Sequence, residues 1–117
     1  MASLNPKVIA ELRALETGGT PGQVRELIDL FLRETDGHAR SLRAAVDGRD
    51  RTALDRSAQA LKGGSGNLGA MALARICAEL QGFGRSGAWE RAAALLPGLD
   101  AELRSVRSEL KTERANP

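Results

Sequence analysis

The sequence predicts an all-α protein, an up-down antiparallel four-helix bundle with an extra short helix at its N-terminus. Alanine, leucine and arginine, which all favour helices, dominate the 117 residues. Aromatic residues make up only 3% of the chain, and no stretch alternates apolar and polar residues as a strand does. Apolar residues instead recur at steps of three and four, and the breaks between helical stretches are short, so neighbouring helices should be antiparallel. The length suits one domain, residues 1–117, and the sequence shows no internal repeat and no linker.

The first helix is predicted to begin at Asn5-Pro6, because asparagine is a favoured N-cap and proline is favoured at the first helical position. It should end near Leu15, before the glycines at 18 and 19. Its positions expected to be buried are Val8, Ile9, Leu12 and Leu15.

The second helix is predicted to start from a capping box, Thr20 to Gln23, and to run to about Val46. Its apolar seam alternates steps of four and three residues, as in the helices of bundles. The seam consists of Val24, Ile28, Phe31, Thr35, His38, Leu42 and Ala45. Asp47-Gly48 breaks this helix, and Asp50 can cap the next one.

The third helix is predicted to point Leu54, Ala58 and Leu61 into the core and to fray over residues 63–66. The fourth helix should start near Gly69 and end among the glycines at 82, 84 and 87. Its expected buried residues are Leu73, Ile76, Cys77, Leu80 and Phe83.

The last helix is predicted from about Ala88 to Thr112, with Trp89 packing at its start. Pro97-Gly98 should kink or split it, since an interior proline costs about 3 kcal/mol. The folded core is therefore expected over about residues 5–112, followed by a disordered tail over residues 113–117.

The composition disfavours several classes of function. No apolar run approaches the ~18 residues of a membrane span, and the N-terminus lacks the basic-then-apolar pattern of a signal peptide. A single cysteine rules out an internal disulfide and favours a reducing cytoplasm. A net charge of +2 is weak evidence for nucleic-acid binding, and no aromatic residues interleave with the arginines to stack on bases. One cysteine and one histidine cannot make a zinc site, and the glycines after residue 62 follow a helix rather than the strand of a P-loop, so no metal or cofactor is expected.

The richest candidate for a functional site is the stretch Ala58-Gln59-Ala60-Leu61-Lys62-Gly63-Gly64-Ser65-Gly66-Asn67-Leu68-Gly69-Ala70. On a helix, Gln59, Lys62 and Gly63 share one face, because positions three and four apart are neighbours. Gln59 is thus predicted to be exposed beside a cation and above a position without a side chain. A glycine inside a helix costs roughly 0.5–1 kcal/mol relative to alanine, which makes sense if another molecule must approach closely. The alternative is that Gly63 and Gly64 only begin the end of the helix.

This stretch closely resembles the signature of the histidine-containing phosphotransfer (HPt) domain family, the modules of bacterial phosphorelays. The family pattern is Ala-His-x-Leu-Lys-Gly, then small residues, then Leu-Gly-Ala, and its phospho-accepting histidine falls at position 59. The resemblance implies an HPt-like helical bundle. It also implies that Lys62 lies near the phosphoryl group and offsets its charge, and that Gly63 opens space for the active site of a receiver domain.

Further matches extend the resemblance over nearly the whole chain. Ser65, with residues 68–70, matches the turn of the signature, so Ser65 is expected close to the phosphoryl group and the receiver. Residues 73–81 resemble the family's next helix. Gln81 falls where several members carry a glutamine that hydrogen-bonds the acceptor histidine, and it is expected to approach Gln59.

The chain departs from the family at the position that carries the chemistry. A phosphorelay acceptor needs an imidazole nitrogen that is nucleophilic near neutral pH, whereas the amide nitrogen of Gln59 is delocalised into its carbonyl. Gln59 can still hydrogen-bond, so the site can keep its shape while losing phosphotransfer. Two origins stay open: a natural degenerate HPt domain that only binds, or an altered version of a competent phosphotransfer protein.

Two other side chains with reactive groups, His38 and Cys77, are expected to have structural roles. His38 is the only histidine and so the only substitute acceptor, but a lone histidine beside an apolar seam is more often a packing residue. Cys77 lies on an apolar face and is expected to be a buried, inert thiol.

A basic patch of Arg49, Arg51 and Arg56 with Lys62 is either a solvated helix surface or a surface that docks an acidic receiver pocket. Asp55, Arg56 and Gly66 are the positions expected to take part in such docking.

The resemblance implies a monomeric, cytoplasmic module that docks the receiver domain of a response regulator or hybrid histidine kinase, with no nucleic-acid or membrane partner. With Gln59 in place it should be deficient in phosphotransfer and is not expected to be an enzyme. The alternatives are a non-catalytic module that sequesters a receiver or modulates its phosphatase rate, and a generic helical interaction domain.

Overall fold

The computed structural model describes residues 3–17, 19 and 22–115, and the described residues form helices without strands. The helices are α1 (Pro6–Thr17), α2 (Gln23–Asp47), α3 (Arg51–Asn67), α4 (Met71–Ser86) and α5 (Trp89–Ala115). Helix α2 packs on α3, α3 on α4, α4 on α5 and α5 on α2, so the four long helices close into a bundle, and α1 packs on α2. The predicted all-α bundle with an extra N-terminal helix is confirmed.

The core consists mainly of aliphatic side chains that face the bundle axis. The largest apolar side chains with less than 2% exposure are Ile28, Leu42, Leu54, Leu61, Leu73, Leu80, Leu99, Leu110 and Val106. Burying a side chain of this size stabilises the fold by about 1.5–3 kcal/mol relative to leaving it in water. Two predicted core positions were wrong: Leu15 is 68% exposed, and Ala39 is buried on α2 where His38 was expected.

Helix α2 receives its N-terminal cap from another helix. Thr20 lies outside the described residues, and the residue that precedes α2 is Gly22, which has no side chain to cap the helix. Instead, Glu16 on α1 accepts a hydrogen bond from the backbone N–H of Val24 at 2.9 Å. A carboxylate also suits the positive end of the helix dipole.

Helix α3 runs through its glycines to Asn67, so the predicted fraying over residues 63–66 is wrong. Gly64 lies against the Phe31 ring, which is 3.2 Å from where a Cβ would stand, and Ser65 is fully buried. Packing on α2 therefore holds the helix where propensity alone would end it. The turn is made at Gly69, which has φ +76°, a value that favours glycine.

Helix α5 is continuous through Pro97, which is exposed, so of the predicted kink or split the structure excludes the split. The buried residues Ala92 and Leu99 flank the proline and anchor both sides of it. The helix also includes residues 113–115, which were predicted to be disordered. Glu113 pairs with Arg13 of α1 at 3.0 Å, which ties this last turn to the bundle.

Three ion pairs join α2 to α5 and define what we call the α2–α5 seam. The pairs are Asp29–Arg114, Asp36–Arg107 and Arg43–Asp100. Each step of seven residues forward along α2 matches a step of seven back along α5, so the two helices are antiparallel in a fixed register. The first two pairs place the carboxylate on α2, and the third pair reverses this polarity.

The N-terminal segment is fixed to the last helix by a carboxylate. Glu109 accepts hydrogen bonds from the backbone N–H groups of Ser3 at 2.6 Å and Leu4 at 3.0 Å. Leu4 itself is only 5% exposed. The N–H of Asn5 donates to the carbonyl oxygen of Gly69 at 2.9 Å, which positions α1 against the α3–α4 turn.

Candidate functional site

The exposed face of α3 presents Gln59 and Gly63, with the half-buried Lys62 beside them. The opposite face of the same helix buries Ala58 and Leu61, at 0% and 1% exposure. The shared face of Gln59, Lys62 and Gly63 that helical spacing predicts is therefore present in the structure.

Gln81 of α4 connects this face to the bundle interior, since the residue is only 3% exposed. Its Nε2 donates to Oε1 of Gln59 at 3.1 Å, and its Oε1 accepts from Nζ of Lys62 at 3.4 Å. Nε2 also lies 3.3 Å from both the backbone carbonyl oxygen and Oδ1 of Asp55. The predicted approach of Gln81 to Gln59 is thus observed, and each polar atom of the Gln81 side chain has a partner.

Arg85 extends the network toward solvent and was missed by the sequence analysis. Its guanidinium lies 3.7 Å from Oδ1 of Asp55, and both side chains are more than half exposed. Arg85 follows Gln81 by one helical turn, so the i, i+4 spacing was a signal that could have found it. Its backbone carbonyl also accepts a hydrogen bond from Arg51 at 2.9 Å.

The structure brings only part of the predicted basic patch to this face. Lys62 lies in the network, and Arg56 is exposed on α3. Arg49 instead lines a groove with Trp89 and Arg91 at the α4–α5 turn. The patch is therefore not one continuous surface around Gln59.

Ser65 does not lie on the Gln59 face, which corrects its predicted place near the phosphoryl group. It follows Gln59 by six residues and so points to another side of the helix. The side chain is fully buried, and its hydroxyl donates to the carbonyl oxygen of Leu61 at 2.7 Å. Gly66, seven residues after Gln59, is exposed.

Comparison with known proteins identifies the family of this arrangement. The sequence matches the family model of the Hpt domain over residues 26–109. The chain belongs to the Hpt domain family. A solved relative of this Hpt domain is histidine-containing phosphotransfer protein B (HptB) from Pseudomonas aeruginosa PAO1, with 36% sequence identity, 96% of this chain and 94% of that chain covered, and a TM-score of 0.86.

A second solved structure shares the fold of this Hpt domain. It is the histidine-containing phosphotransfer protein ZmHP2 from maize, with 24% identity, 95% of this chain and 82% of that chain covered, and a TM-score of 0.85. A comparison with curated proteins gave no significant match.

An apolar groove of about 90 Å³ between α2 and α3 adjoins the Gln59 face of the Hpt domain. Its lining includes Leu30 from α2 together with Ala60 and Gly64 from α3. Leu30 is 42% exposed, which is unusual among the large apolar side chains of this chain. His38 also lines this groove, where Nε2 lies 3.7 Å from Oε2 of Glu34, and it takes no part in the Gln81 network.

Cys77 lies behind the Gln81 network and is fully buried, as predicted. Burial raises the pKa of its thiol to about 12, although the nearby positive charge of Lys62 acts in the opposite direction. The thiolate that would be needed for reactivity is therefore scarce at neutral pH.

Neither a membrane span nor a metal cluster is found in the described part of the Hpt domain. None of its helices combines the length and apolar character needed to cross a bilayer. No group of three or more His, Cys, Asp or Glu side chains within the described ranges could hold a metal ion.

Proposed function

We propose that this Hpt domain docks the receiver domain of a response regulator or hybrid histidine kinase but does not itself accept a phosphoryl group. The observation that carries the proposal is Gln59, which occupies the acceptor position of the family signature and is exposed on α3. An amide nitrogen is not a useful nucleophile toward an aspartyl phosphate, because its lone pair is delocalised into the carbonyl group. The phosphorelay step therefore stops at this residue.

The surroundings of Gln59 support docking. A Cβ at Gly63 or Gly66 would meet nothing within 4 Å, so the backbone of α3 is open to a partner on this face. The neighbouring apolar groove with exposed Leu30 gives a partner apolar surface to bury. Asp55 and Arg56 lie on the rim, where charges act mainly on the rate and specificity of association.

Lys62 supplies the positive charge that a phosphorylated partner would meet. Its ammonium group lies 3.4 Å from Oε1 of Gln81, a long hydrogen bond, and its side chain is half-buried rather than enclosed. A flexible lysine side chain can exchange this long hydrogen bond to Gln81 for one to a phosphoryl oxygen. Lys62 thus favours binding of the phosphorylated receiver whether or not transfer follows.

Phosphotransfer tests the acceptor assignment. The chain and its Gln59→His variant are incubated with a radiolabelled phospho-receiver, and the acid lability of any label reports phosphohistidine. We expect label on Gln59→His and none on the unchanged chain. Stable labelling of the unchanged chain that His38→Ala abolishes would identify His38 as the acceptor. If Gln59→His gains no label from a receiver that binds the chain, the domain is a binding-only module.

A matched pair of glycine variants tests the docking face. Gly63→Ala and Gly98→Ala both add a methyl group at a helical position with open space, but Gly98 lies on α5. Calorimetric titration with the receiver should show weaker binding for Gly63→Ala and unchanged binding for Gly98→Ala. Equal affinity for both variants would remove this face from the interface.

A further inference from the structure

A short pattern of eight residues occurs twice, once on each helix of the α2–α5 seam. Residues 36–43 read Asp-Gly-His-Ala-Arg-Ser-Leu-Arg, and residues 100–107 read Asp-Ala-Glu-Leu-Arg-Ser-Val-Arg. The aspartate, both arginines and the serine are identical in the two copies. The prediction that the chain has no internal repeat is therefore wrong at this short length.

The antiparallel register relates the two copies by an approximate two-fold axis across the seam. Arg107 of the second copy lies 3.3 Å from Asp36 of the first, and Arg43 of the first copy pairs with Asp100 of the second. These two contacts are equivalent under the approximate axis. One contact lies at each end of the duplicated segment.

The middle arginine of each copy lies between these ion pairs. Arg40 and Arg104 are exposed, and neither has an ion-pair or hydrogen-bond partner among the residues that the structure describes. Their neighbours Ala39 and Leu103 are buried, at 3% and 6% exposure, and form the apolar floor of a groove between α2 and α5. Two guanidinium groups thus face solvent from the two sides of one groove.

The groove itself has a volume of about 490 Å³. This lies in the range of roughly 300–1,000 Å³ that small-molecule sites occupy. Its lining contains four arginines and two aspartates, so its formal charge is +2 (four minus two). A second copy of the same groove would be repelled by this charge, whereas a small anion would be attracted.

We propose that the α2–α5 groove is a binding site for a diphosphate group, with Arg40 on one phosphate and Arg104 on the other. A planar guanidinium presents two parallel N–H donors that match two phosphate oxygens. A diphosphate has two equivalent anionic ends, which suits a site with two equivalent arginines. Asp36 and Asp100 pair with Arg107 and Arg43 at the ends of the groove, so these two pairs are neutral and the net charge of +2 comes from Arg40 and Arg104.

Calorimetric titration with inorganic pyrophosphate tests the site, with the double variant Arg40→Gln/Arg104→Gln as the probe. The matched control is Arg75→Gln/Arg91→Gln, which removes the same charge from exposed positions outside the groove. We expect saturable binding of one pyrophosphate per chain, weakened about tenfold or more in the first variant and unchanged in the control. Helix content from circular dichroism should match in all three proteins.

The same titration with adenosine diphosphate shows whether the site takes a free diphosphate or the diphosphate of a nucleotide. Weaker binding of either ligand to the Arg40→Gln/Arg104→Gln variant supports the site. Equal binding by both double variants would show general charge attraction and overturn the proposal. Saturable binding of hexaglutamate that exceeds that of pyrophosphate, and is lost in the groove variant, would also overturn it in favour of an acidic polypeptide.

Discussion

Gln81 donates a hydrogen bond to Gln59 across the α3–α4 interface, with 3.1 Å between Nε2 and Oε1, although the first residue is almost fully buried and the second is exposed. The contact joins the bundle interior to the surface that we assign to the receiver. It also holds the amide of Gln59 in one orientation. The buried Gln81 therefore fixes the shape of the site, although a bound partner would not need to contact it.

Replacing Gln81 by methionine keeps its volume but removes its hydrogen bonds. We expect the free energy of unfolding to fall by about 1–2 kcal/mol, because several polar contacts at a buried position are lost together. Gln59→Met should change it by less than about 0.5 kcal/mol, since an exposed amide exchanges its partner for water. Urea unfolding of both variants measures the difference, and equal effects would contradict the anchoring role of Gln81.

Two glycines of α4 should respond to alanine in opposite directions. A Cβ at Gly84 would stand 2.7 Å from Cδ2 of Leu54, whereas one at Gly82 would meet nothing within 4 Å. Gly84→Ala is expected to destabilise the bundle by about 1–3 kcal/mol through overpacking. Gly82→Ala should stabilise it by roughly 0.5–1 kcal/mol through helix propensity. Thermal melting compares them, and stabilisation by both would show that the α3–α4 contact is loose.

Glu109 should make stability depend on pH. Burial raises the pKa of this carboxyl, but hydrogen bonds from the N–H groups of Ser3 and Leu4 and from the hydroxyls of Ser3 and Ser105 outweigh it, so the pKa lies below its usual 4.5. A carboxyl with a lowered folded-state pKa stabilises the protein above its unfolded pKa, and this contribution is lost as pH falls through the folded value.

Glu109→Gln should therefore be less stable than the unchanged chain at pH 7, and the difference should shrink below about pH 4.5. Urea unfolding across this range measures it. Glu79→Gln, at an exposed position of α4, is the control. A difference that stays constant from pH 7 to pH 3 would contradict the assignment.

Cys77 should report global unfolding. Because burial raises the pKa of its thiol to about 12, a disulfide reagent at pH 8 should label the native protein very slowly. In denaturing urea the single cysteine should react completely. Rapid stoichiometric labelling without denaturant would show that α4 opens locally.

The helices were predictable because the bundle repeats one physical pattern, but their ends were not. Residues 63–66 contain three glycines and read as a helix end, yet Phe31 covers Gly64 and the helix continues. Only the neighbouring helix supplies this information. The cap of α2 is a similar case, because Glu16 reaches it from a different helix.

The candidate site was predictable only in part. Spacing along one helix placed Gln59 with Lys62 and Gly63, because those relationships are local. Gln81 was located through the family resemblance, since nothing local shows which residue of the next helix faces position 59. Ser65 was misplaced because a match to a signature does not say which way a side chain points.

The reversed polarity of the third ion pair in the α2–α5 seam makes one alignment of these helices unique. Sliding α5 by seven residues in one direction would set Asp36 against Asp100, and sliding it the other way would set Arg43 against Arg107. Each exposed pair adds little to the stability of the correct alignment, but a shift of seven residues in either direction brings two like charges together. If all three pairs had the same polarity, an alignment shifted by seven residues would keep two pairs of opposite charge and would bring no like charges together.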